Sequence, residues 1–262
     1  MQGELKVKTM AQYAAEGTKP EILYWVGCAG SYDARAQKVS KAFVKLLNKA
    51  GVSFAILGNE ESCCGDPARR AGNEFVFQML AIQNIETLNA YGISKIVTAC
   101  PHGYNTLKNE YPELGGNYEV YHHTQYIDKL IAEGRLDIKD NNDFSATKIS
   151  YHDSCYLGRI NGEYQAPRRV LSSVNINIIE MERNKENGFC CGAGGAQMFK
   201  EEEKGDIRIN EERANEAINT GAKIIAANCP FCLTMLEDGL KAKEKEDEIK
   251  VLDIAEILAN NL

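Results

Sequence analysis

The spacing of the cysteines most constrains this chain, because it repeats. Three cysteines of the first half recur 127 residues later, and a fourth recurs after 129 residues. Each half carries one cysteine, then a Cys-Cys-Gly, then a Cys-Pro. The first set is Cys28, Cys63, Cys64 and Cys100, and the second is Cys155, Cys190, Cys191, Cys229 and Cys232. Self-similarity of this kind predicts two related structural units in tandem.

The two copies differ where the motif ends. The second copy closes as Cys-Pro-Phe-Cys at 229–232, whereas the first reads Cys-Pro-His-Gly at 100–103. Gly103 therefore stands where the second copy has its last cysteine. The first set has four thiols and the second has five.

Hydrophobic patterning places the cysteines on a framework. Short apolar runs at 22–26 and 149–151 lead into the first cysteine of each set and are typical of strands. Segments 38–49 and 75–89 have helical spacing, and strand-like runs follow at 52–56 and 93–99. The alternation predicts an α/β fold with a parallel sheet and crossover helices in each unit. Ligands of such sheets bind at the carboxyl ends of the strands, where we expect the cysteine-bearing loops.

Domain boundaries follow from composition. Residues 137–147 are polar and have no periodicity, as expected for a linker. We therefore predict an N-terminal extension at 1–20, a first domain at 21–138 and a second, pseudo-symmetric domain at 146–262.

Charge and hydropathy exclude several partner classes. The chain carries 30 Lys and Arg against 37 Asp and Glu, a net charge of −7, which disfavours nucleic acid and anionic lipid. No apolar stretch approaches the roughly 18 residues of a membrane span, and the N-terminus has no signal-peptide core. We expect a cytoplasmic protein without a direct membrane span. An odd number of cysteines in a reducing compartment favours metal or redox chemistry over disulfides.

Clustered thiolates suit two kinds of centre. Thiolate is a soft ligand for both iron–sulfur clusters and zinc. Adjacent cysteines chelate a single tetrahedral ion poorly but can bind neighbouring irons, which favours a cluster. Zinc remains open because Cys229 and Cys232 have zinc-knuckle spacing, and the same pair is compatible with a redox-active dithiol.

The segments around the second set carry a resemblance to a known family. They read HDSC at 152–155, FCCGAGG at 189–195 and NCPFC at 228–232. The sequence resembles the CCG cysteine-rich domain of heterodisulfide reductase subunits B and D. It also resembles related iron–sulfur subunits of glycolate, lactate and glycerol-3-phosphate oxidoreductases. Complete copies in that family have cysteine where Gly103 stands here.

The resemblance implies a function. It implies a 4Fe-4S cluster of the non-cubane type on Cys155, Cys190, Cys191, Cys229 and Cys232. It leaves the first site, made of Cys28, Cys63, Cys64 and Cys100, with an ordinary 4Fe-4S cluster, a zinc ion or no metal. The implied role is electron relay within an oxidoreductase complex, with disulfide reduction as a further step. The alternative is a zinc-binding structural or assembly module without redox activity.

Absent motifs point to partner subunits. The chain has no ferredoxin-type cysteine run and no G-x-G-x-x-G dinucleotide motif. Electrons are therefore expected from a ferredoxin-like or flavoprotein subunit, and turnover is expected only with that partner. His102 and His152, near the cysteines, are candidates to donate an N–H to a cluster sulfur or to pass a proton. Three arginines near the cysteines are candidates to offset cluster charge or to hold an acidic substrate, namely Arg69, Arg70 and Arg159. The sequence identifies no catalytic residue.

Overall fold

The computed structural model describes residues 5–138, 147–201 and 205–262. The chain divides into two compact units between Asp137 and Ile138. Most of the linker predicted at 137–147 lies outside the described residues.

The first unit alternates strands and helices. Its elements are β1 Lys8–Thr9, α1 Met10–Ala15, β2 Ile22–Trp25, α2 Gly27–Tyr32, α3 Ala34–Lys49, β3 Phe54–Ile56, α4 Asp66–Arg70, α5 Glu74–Ala90, β4 Lys95–Thr98, α6 Pro101–Asn105, β5 Glu119–His122 and α7 His123–Ala132. Short 3₁₀ turns lie at Gly58–Glu60 and Tyr111–Leu114, and a π-helical turn lies at Thr106–Glu110. All pairings are parallel, in the order β1-β3-β2-β4-β5.

The second unit repeats this plan with fewer strands. Its elements are β6 Ile149–Tyr151, α8 Gln165–Ser172, β7 Ile178–Ile179, α9 Ile209–Asn219, β8 Ile224–Ala227, α10 Pro230–Ala242, β9 Lys250–Asp253 and α11 Ile254–Ala259, with 3₁₀ turns at Lys185–Asn187 and Gln197–Phe199. The strand order is β7-β6-β8-β9, again all parallel. Two tandem units with parallel sheets and crossover helices confirm the predicted fold class.

Local sequence explains where the long helices begin and end. The Asp33 side chain caps α3 by accepting a hydrogen bond from the Ala36 N–H at 2.7 Å. The helix buries an apolar face that includes Phe43, Leu46 and Leu47. It stops before Gly51, whose φ of +64° is a conformation that glycine adopts without strain.

Two segments have structure that the sequence pattern does not specify. The N-terminal segment contributes β1, which pairs with β3 of the first sheet. The pattern near 106–111 predicts a regular helix, but the turn that follows α6 is π-helical. Pro112 lies in the 3₁₀ turn that follows, at Tyr111–Leu114, and because proline has no N–H it cannot continue the hydrogen bonding of the π-helical turn.

The parallel sheets bring the cysteine loops to one edge in each unit. In the first, Cys28 follows the end of β2, the Cys63-Cys64 pair follows β3, and Cys100 follows β4. The second unit repeats this arrangement after β6, β7 and β8. Across the described parts of the chain, no helix is both long and apolar enough to cross a bilayer.

Candidate functional site

Five thiols converge in the second unit. The sulfur atoms of Cys191 and Cys232 are 3.2 Å apart. Cys232 also contacts Cys229, and Cys190 accepts hydrogen bonds from Cys155 and Cys191. The five sulfurs therefore form one continuous cluster. Its inner members, Cys191, Cys229 and Cys232, are at most 3% exposed, whereas Cys155 and Cys190 are half-buried.

The first unit repeats part of this cluster. The thiols of Cys28 and Cys64 donate hydrogen bonds to the sulfur of Cys63. Cys100 lies at the N-terminus of α6, as Cys229 lies at the N-terminus of α10. All four cysteines of this set are half-buried. The pattern of thiol contacts around the Cys-Cys pair is thus the same in both units.

The glycine after each cysteine pair sets the same tight turn in both copies. Gly65 and Gly192 have φ of +92° and +91°, which L side chains rarely adopt. In both turns the glycine N–H approaches the first sulfur of the pair, at 3.5 Å from Cys63 and 3.3 Å from Cys190. A Cβ on Gly65 would lie 2.7 Å from the Phe77 ring. Side-chain bulk and backbone conformation both require glycine there.

Hydrogen bonds between the thiols lower the pKa of one cysteine in each set. Hydrogen bonds from Cys28 and Cys64 lower the pKa of Cys63 well below its usual range. Those from Cys155 and Cys191 lower the pKa of Cys190 in the same way. The first member of each pair is therefore the sulfur on which negative charge is favoured, and its neighbours act as donors. Two thiol donors and one backbone N–H stabilise that charge.

The donor sets fit a polynuclear iron–sulfur centre. Thiolates at these separations repel one another unless a cation lies between them. A structural zinc ion takes four ligands, whereas the second unit gathers five sulfurs. Adjacent cysteines on one turn suit neighbouring metal ions rather than one. These residues therefore match the donor chemistry of an iron–sulfur cluster.

A carboxylate ties two cysteine loops together in each unit. In the first, Glu61 accepts hydrogen bonds from the N–H groups of Val26 and Gly27, at 3.0 and 2.6 Å. Burial raises the pKa of Glu61 to about 7, and the two N–H donors oppose that shift. Glu61 thereby links the segment before the cysteine pair to the loop of Cys28.

The second unit uses a carboxylate from the opposite loop. Asp153, just before Cys155, accepts a hydrogen bond from the Lys185 N–H at 2.8 Å. Arg168 donates hydrogen bonds to both carboxylate oxygens of Asp153, at 2.8 and 2.9 Å, and to both of Glu180, at 2.8 and 2.9 Å. Bidentate pairs of this kind give geometric specificity. They fix the loop of Cys155 against the segment that leads to Cys190.

The candidate histidines have different surroundings. His102 lies beside Asp66, with Nδ1 and Oδ2 2.9 Å apart. The Nδ1 atom of His152 accepts a hydrogen bond from Arg213 Nε at 3.0 Å. Burial, followed by the Arg213 charge, lowers the pKa of His152 to about 3. His152 is therefore neutral in this fold, and a ring nitrogen lies within 4.8 Å of the Cys191 and Cys232 sulfurs.

Two arginines near the first site are engaged in ion pairs. Arg70 pairs with Asp66 at 3.1 Å and with Glu110. Arg69 pairs with Glu110 at 3.1 Å and Glu113 at 3.2 Å. Their position in the sequence suggests that they offset cluster charge or bind an acidic substrate. In the structure, both arginines instead form ion pairs with carboxylates of the same unit.

Gly103 has room for a side chain. It lies within α6, and a Cβ there would be 3.7 Å from Thr98 Oγ1 and 3.9 Å from Cys100 Cβ, which are ordinary contacts. The corresponding Cys232 occupies the first turn of α10. The first site therefore has four thiols because position 103 is glycine, and not because a fifth side chain would lack space.

Comparison with known families agrees with this duplicated geometry. Residues 22–108 and 149–237 match the CCG family model, described as a cysteine-rich domain. The chain belongs to the CCG cysteine-rich domain family. Both matched segments begin at the strand that leads into the first cysteine of a set, β2 or β6.

Relatives of this CCG chain include oxidoreductases and components of oxidoreductase complexes. It is 53% identical over 249 residues to an EtfAB:quinone oxidoreductase of Syntrophomonas wolfei, covering 93% of this chain and 34% of that protein. It is also 48% identical over 260 residues to the probable iron-sulfur-binding oxidoreductase FadF of Bacillus subtilis. That match covers 99% of this chain and 36% of FadF.

A heterodisulfide reductase component is also similar. The dihydromethanophenazine:CoB–CoM heterodisulfide reductase of Methanosarcina barkeri has a D subunit that is 38% identical over 251 residues, covering 93% of this chain and 59% of that protein. The CCG chain thus spans about a third to three-fifths of the length of these relatives. The matches confirm the resemblance to heterodisulfide reductase and iron–sulfur oxidoreductase subunits.

Replacing Gly103 by cysteine tests what distinguishes the two sites. We expect Gly103→Cys to change the metal bound at the first site, as a changed metal content per chain or a spectrum closer to that of the second site. The physical reason is that the new thiol would lie in the first turn of α6, as Cys232 lies in the first turn of α10. Metal analysis and visible absorption check this, with Gly103→Ser as the control that adds a side chain without sulfur. If the Cys and Ser variants behave alike, the missing thiol is not the difference.

Proposed function

We propose that this chain is the iron–sulfur electron-transfer part of an oxidoreductase complex. The observation that carries the proposal is the continuous cluster of five sulfurs in the second unit. In this proposal Cys155, Cys190, Cys191, Cys229 and Cys232 hold a 4Fe-4S cluster of the non-cubane type. Cys28, Cys63, Cys64 and Cys100 hold an ordinary 4Fe-4S cluster. Such clusters, when bound, accept and release single electrons.

The protein's own residues have defined tasks in this role. The carboxylate contacts of Glu61 and Asp153 hold the cysteine loops in place before a cofactor binds. The turns at Gly65 and Gly192 aim a backbone N–H at the first sulfur of each pair. Burial of Cys191, Cys229 and Cys232 excludes water from one side of the second site. The half-buried Cys155 and Cys190 leave the other side accessible.

A zinc-binding assembly module is the second candidate function. A ring nitrogen of His152 and the sulfurs of Cys191 and Cys232 lie within 4.8 Å of one another, a grouping that suits a single metal ion. The hydrogen bond from Arg213 to Nδ1 opposes metal binding by His152. If Nε2 bound a metal ion, the ring proton would be on Nδ1, where it would face the N–H of Arg213 instead of accepting from it. We therefore favour the cluster.

Partner proteins would supply the electrons. The names of the relatives include a quinone oxidoreductase and a component of heterodisulfide reductase, and both proteins are longer than this chain. We propose that a ferredoxin-like or flavoprotein partner delivers electrons and that turnover requires it. Because an odd number of free thiols suits a reducing compartment, we also propose a cytoplasmic location.

A disulfide is the substrate class that we propose for the second site. Cys155 and Cys190 provide an accessible side. A cavity of about 570 Å³ lies beside Gly192, the residue after the cysteine pair, and among the described residues no cysteine of the site lines it. Its lining combines apolar with charged side chains, including Ile209, Met235, Arg208 and Asp238. It would therefore suit a substrate that is only partly apolar. Reduction of the disulfide takes two electrons and two protons and yields two thiols.

Exchanging the second cysteine of the pair at each site tests the cofactor assignment. We expect Cys191→Ser to remove the second cluster and Cys64→Ser to remove the first, because each variant loses one member of the cysteine pair. The fold should persist, since the ligands lie on loops outside the sheets. Iron and sulfide analysis with circular dichroism of anaerobic protein checks both. Wild-type iron content in Cys191→Ser would exclude this residue as a ligand.

Disulfide reduction is tested by reoxidation. The anaerobic protein is reduced with titanium(III) citrate, freed of excess reductant and mixed with 2-hydroxyethyl disulfide. We expect the visible absorbance of the oxidised protein to return, with two thiols formed for every two electrons lost. The response should disappear in Cys232→Ser and persist in Cys100→Ser, the first-site control. Reduction without any response to disulfide would leave electron transfer alone.

A further inference from the structure

Both units bury a ring N–H at the same place in the repeat. Trp25 and His152 are 127 residues apart, each three residues before the first cysteine of its set. Both side chains are 1% exposed. Among the described residues, neither Trp25 Nε1 nor His152 Nε2 has a hydrogen-bond partner. A buried unpaired donor costs about 1–3 kcal/mol, so two at equivalent positions point to an acceptor of the same kind in each unit, which a bound group would provide.

Arg213 decides which nitrogen of His152 carries the proton. Its Nε lies 3.0 Å from His152 Nδ1. A guanidinium has donors and no acceptor, so Nδ1 must be the acceptor of this bond. The proton of the neutral imidazole is then on Nε2. Arg213 is itself fully buried, and the Arg183 carbonyl at 2.8 Å and the Glu216 carboxylate hold it in place.

The resulting Nε2–H lies next to the second cysteine cluster. One ring nitrogen of His152 is within 4.8 Å of the sulfurs of both Cys191 and Cys232. Because Nδ1 is engaged by Arg213, Nε2 is the nitrogen free to meet an acceptor at the site. It bears a proton, so it is suited to donate a hydrogen bond and not to ligate a metal.

Trp25 supplies the corresponding group in the first unit. An indole N–H can only donate. Cδ1 of the indole, the carbon bonded to Nε1, would lie 4.0 Å from a Cβ on Gly27, the residue before Cys28. The N–H edge of the ring therefore borders the loop that carries Cys28.

We propose that His152 Nε2 and Trp25 Nε1 donate hydrogen bonds to sulfur atoms of the second and first clusters, with Arg213 as the positioning residue that sets the tautomer of His152. This inference rests on the proposed function, since it needs a cluster at each site. Hydrogen bonds to cluster sulfurs favour the reduced, more negative state and raise the reduction potential. The two donors thus contribute to the potential of each site without being ligands.

A pair of variants at one position separates donation from packing. His152→Phe keeps a ring but has no donor and no acceptor. His152→Gln keeps an oxygen that can accept from Arg213 and an N–H that can reach the sulfur. Potentials are measured by redox titration monitored by electron paramagnetic resonance, with iron and sulfide analysis of the same samples. We expect His152→Phe to make reduction of the second cluster about tenfold less favourable, or about 59 mV for a one-electron couple. We expect His152→Gln to retain most of the wild-type potential.

The first site gives an independent variant. Trp25→Phe is expected to lower the potential of the first cluster and leave the second unchanged, with full iron and sulfide. Absence of a shift at the first cluster would overturn the assignment of Trp25. An unchanged potential in His152→Phe, or equal losses in the Phe and Gln variants, would overturn that of His152. Loss of iron in His152→Gln would show that His152 is a ligand instead.

Wild-type protein provides a test that needs no substitution. Pulsed electron paramagnetic resonance of protein labelled with ¹⁵N-histidine should show a weak nitrogen coupling to the reduced second cluster. The strong coupling of a coordinated nitrogen, or no coupling, would contradict the proposal even if His152→Phe fails to fold. Wild-type protein that binds no iron would refute the proposed function itself. A bound cluster whose reduction potential does not change when His152 is substituted would refute only the role of His152.

Discussion

Close contact between thiols is the constraint on which the rest of this structure depends. Sulfur atoms from five cysteines share one small volume, and those of Cys191 and Cys232 are 3.2 Å apart. Charge on these sulfurs requires donors or cations beside it. In the protein alone, neighbouring thiols and a glycine N–H supply the donors. A polynuclear metal centre would replace the thiol protons, and binding such a centre would explain why the five sulfurs lie so close together.

Duplication has kept the backbone plan and changed particular side chains. Both units place the cysteine pair on a turn with glycine at φ near +92° and +91°. Equivalent tasks fall to different residues: Glu61 in one unit and Asp153 in the other tie the loops together. Trp25 and His152 likewise bring different rings to the same position. The units therefore share a scaffold while the surroundings of each sulfur cluster differ.

The cysteine spacing and hydrophobic periodicity predict the main architecture. Parallel sheets with cysteine loops at the carboxyl edge follow from strands that end just before Cys28 and Cys155, and this expectation is confirmed. The bond between Arg213 and His152 could not be predicted, because the residues are 61 positions apart and no spacing pattern links them. The free N–H of Trp25 is equally hidden, since a tryptophan at the end of an apolar strand has the pattern of a core residue. Such contacts depend on tertiary packing and become visible only in the fold.

Metal and sulfide analysis of anaerobically purified wild-type protein tests the central claim most directly. Two 4Fe-4S clusters predict about eight irons and about eight acid-labile sulfides per chain, with broad visible absorption. Stoichiometric zinc in a colourless protein without sulfide would contradict the account and favour the assembly module.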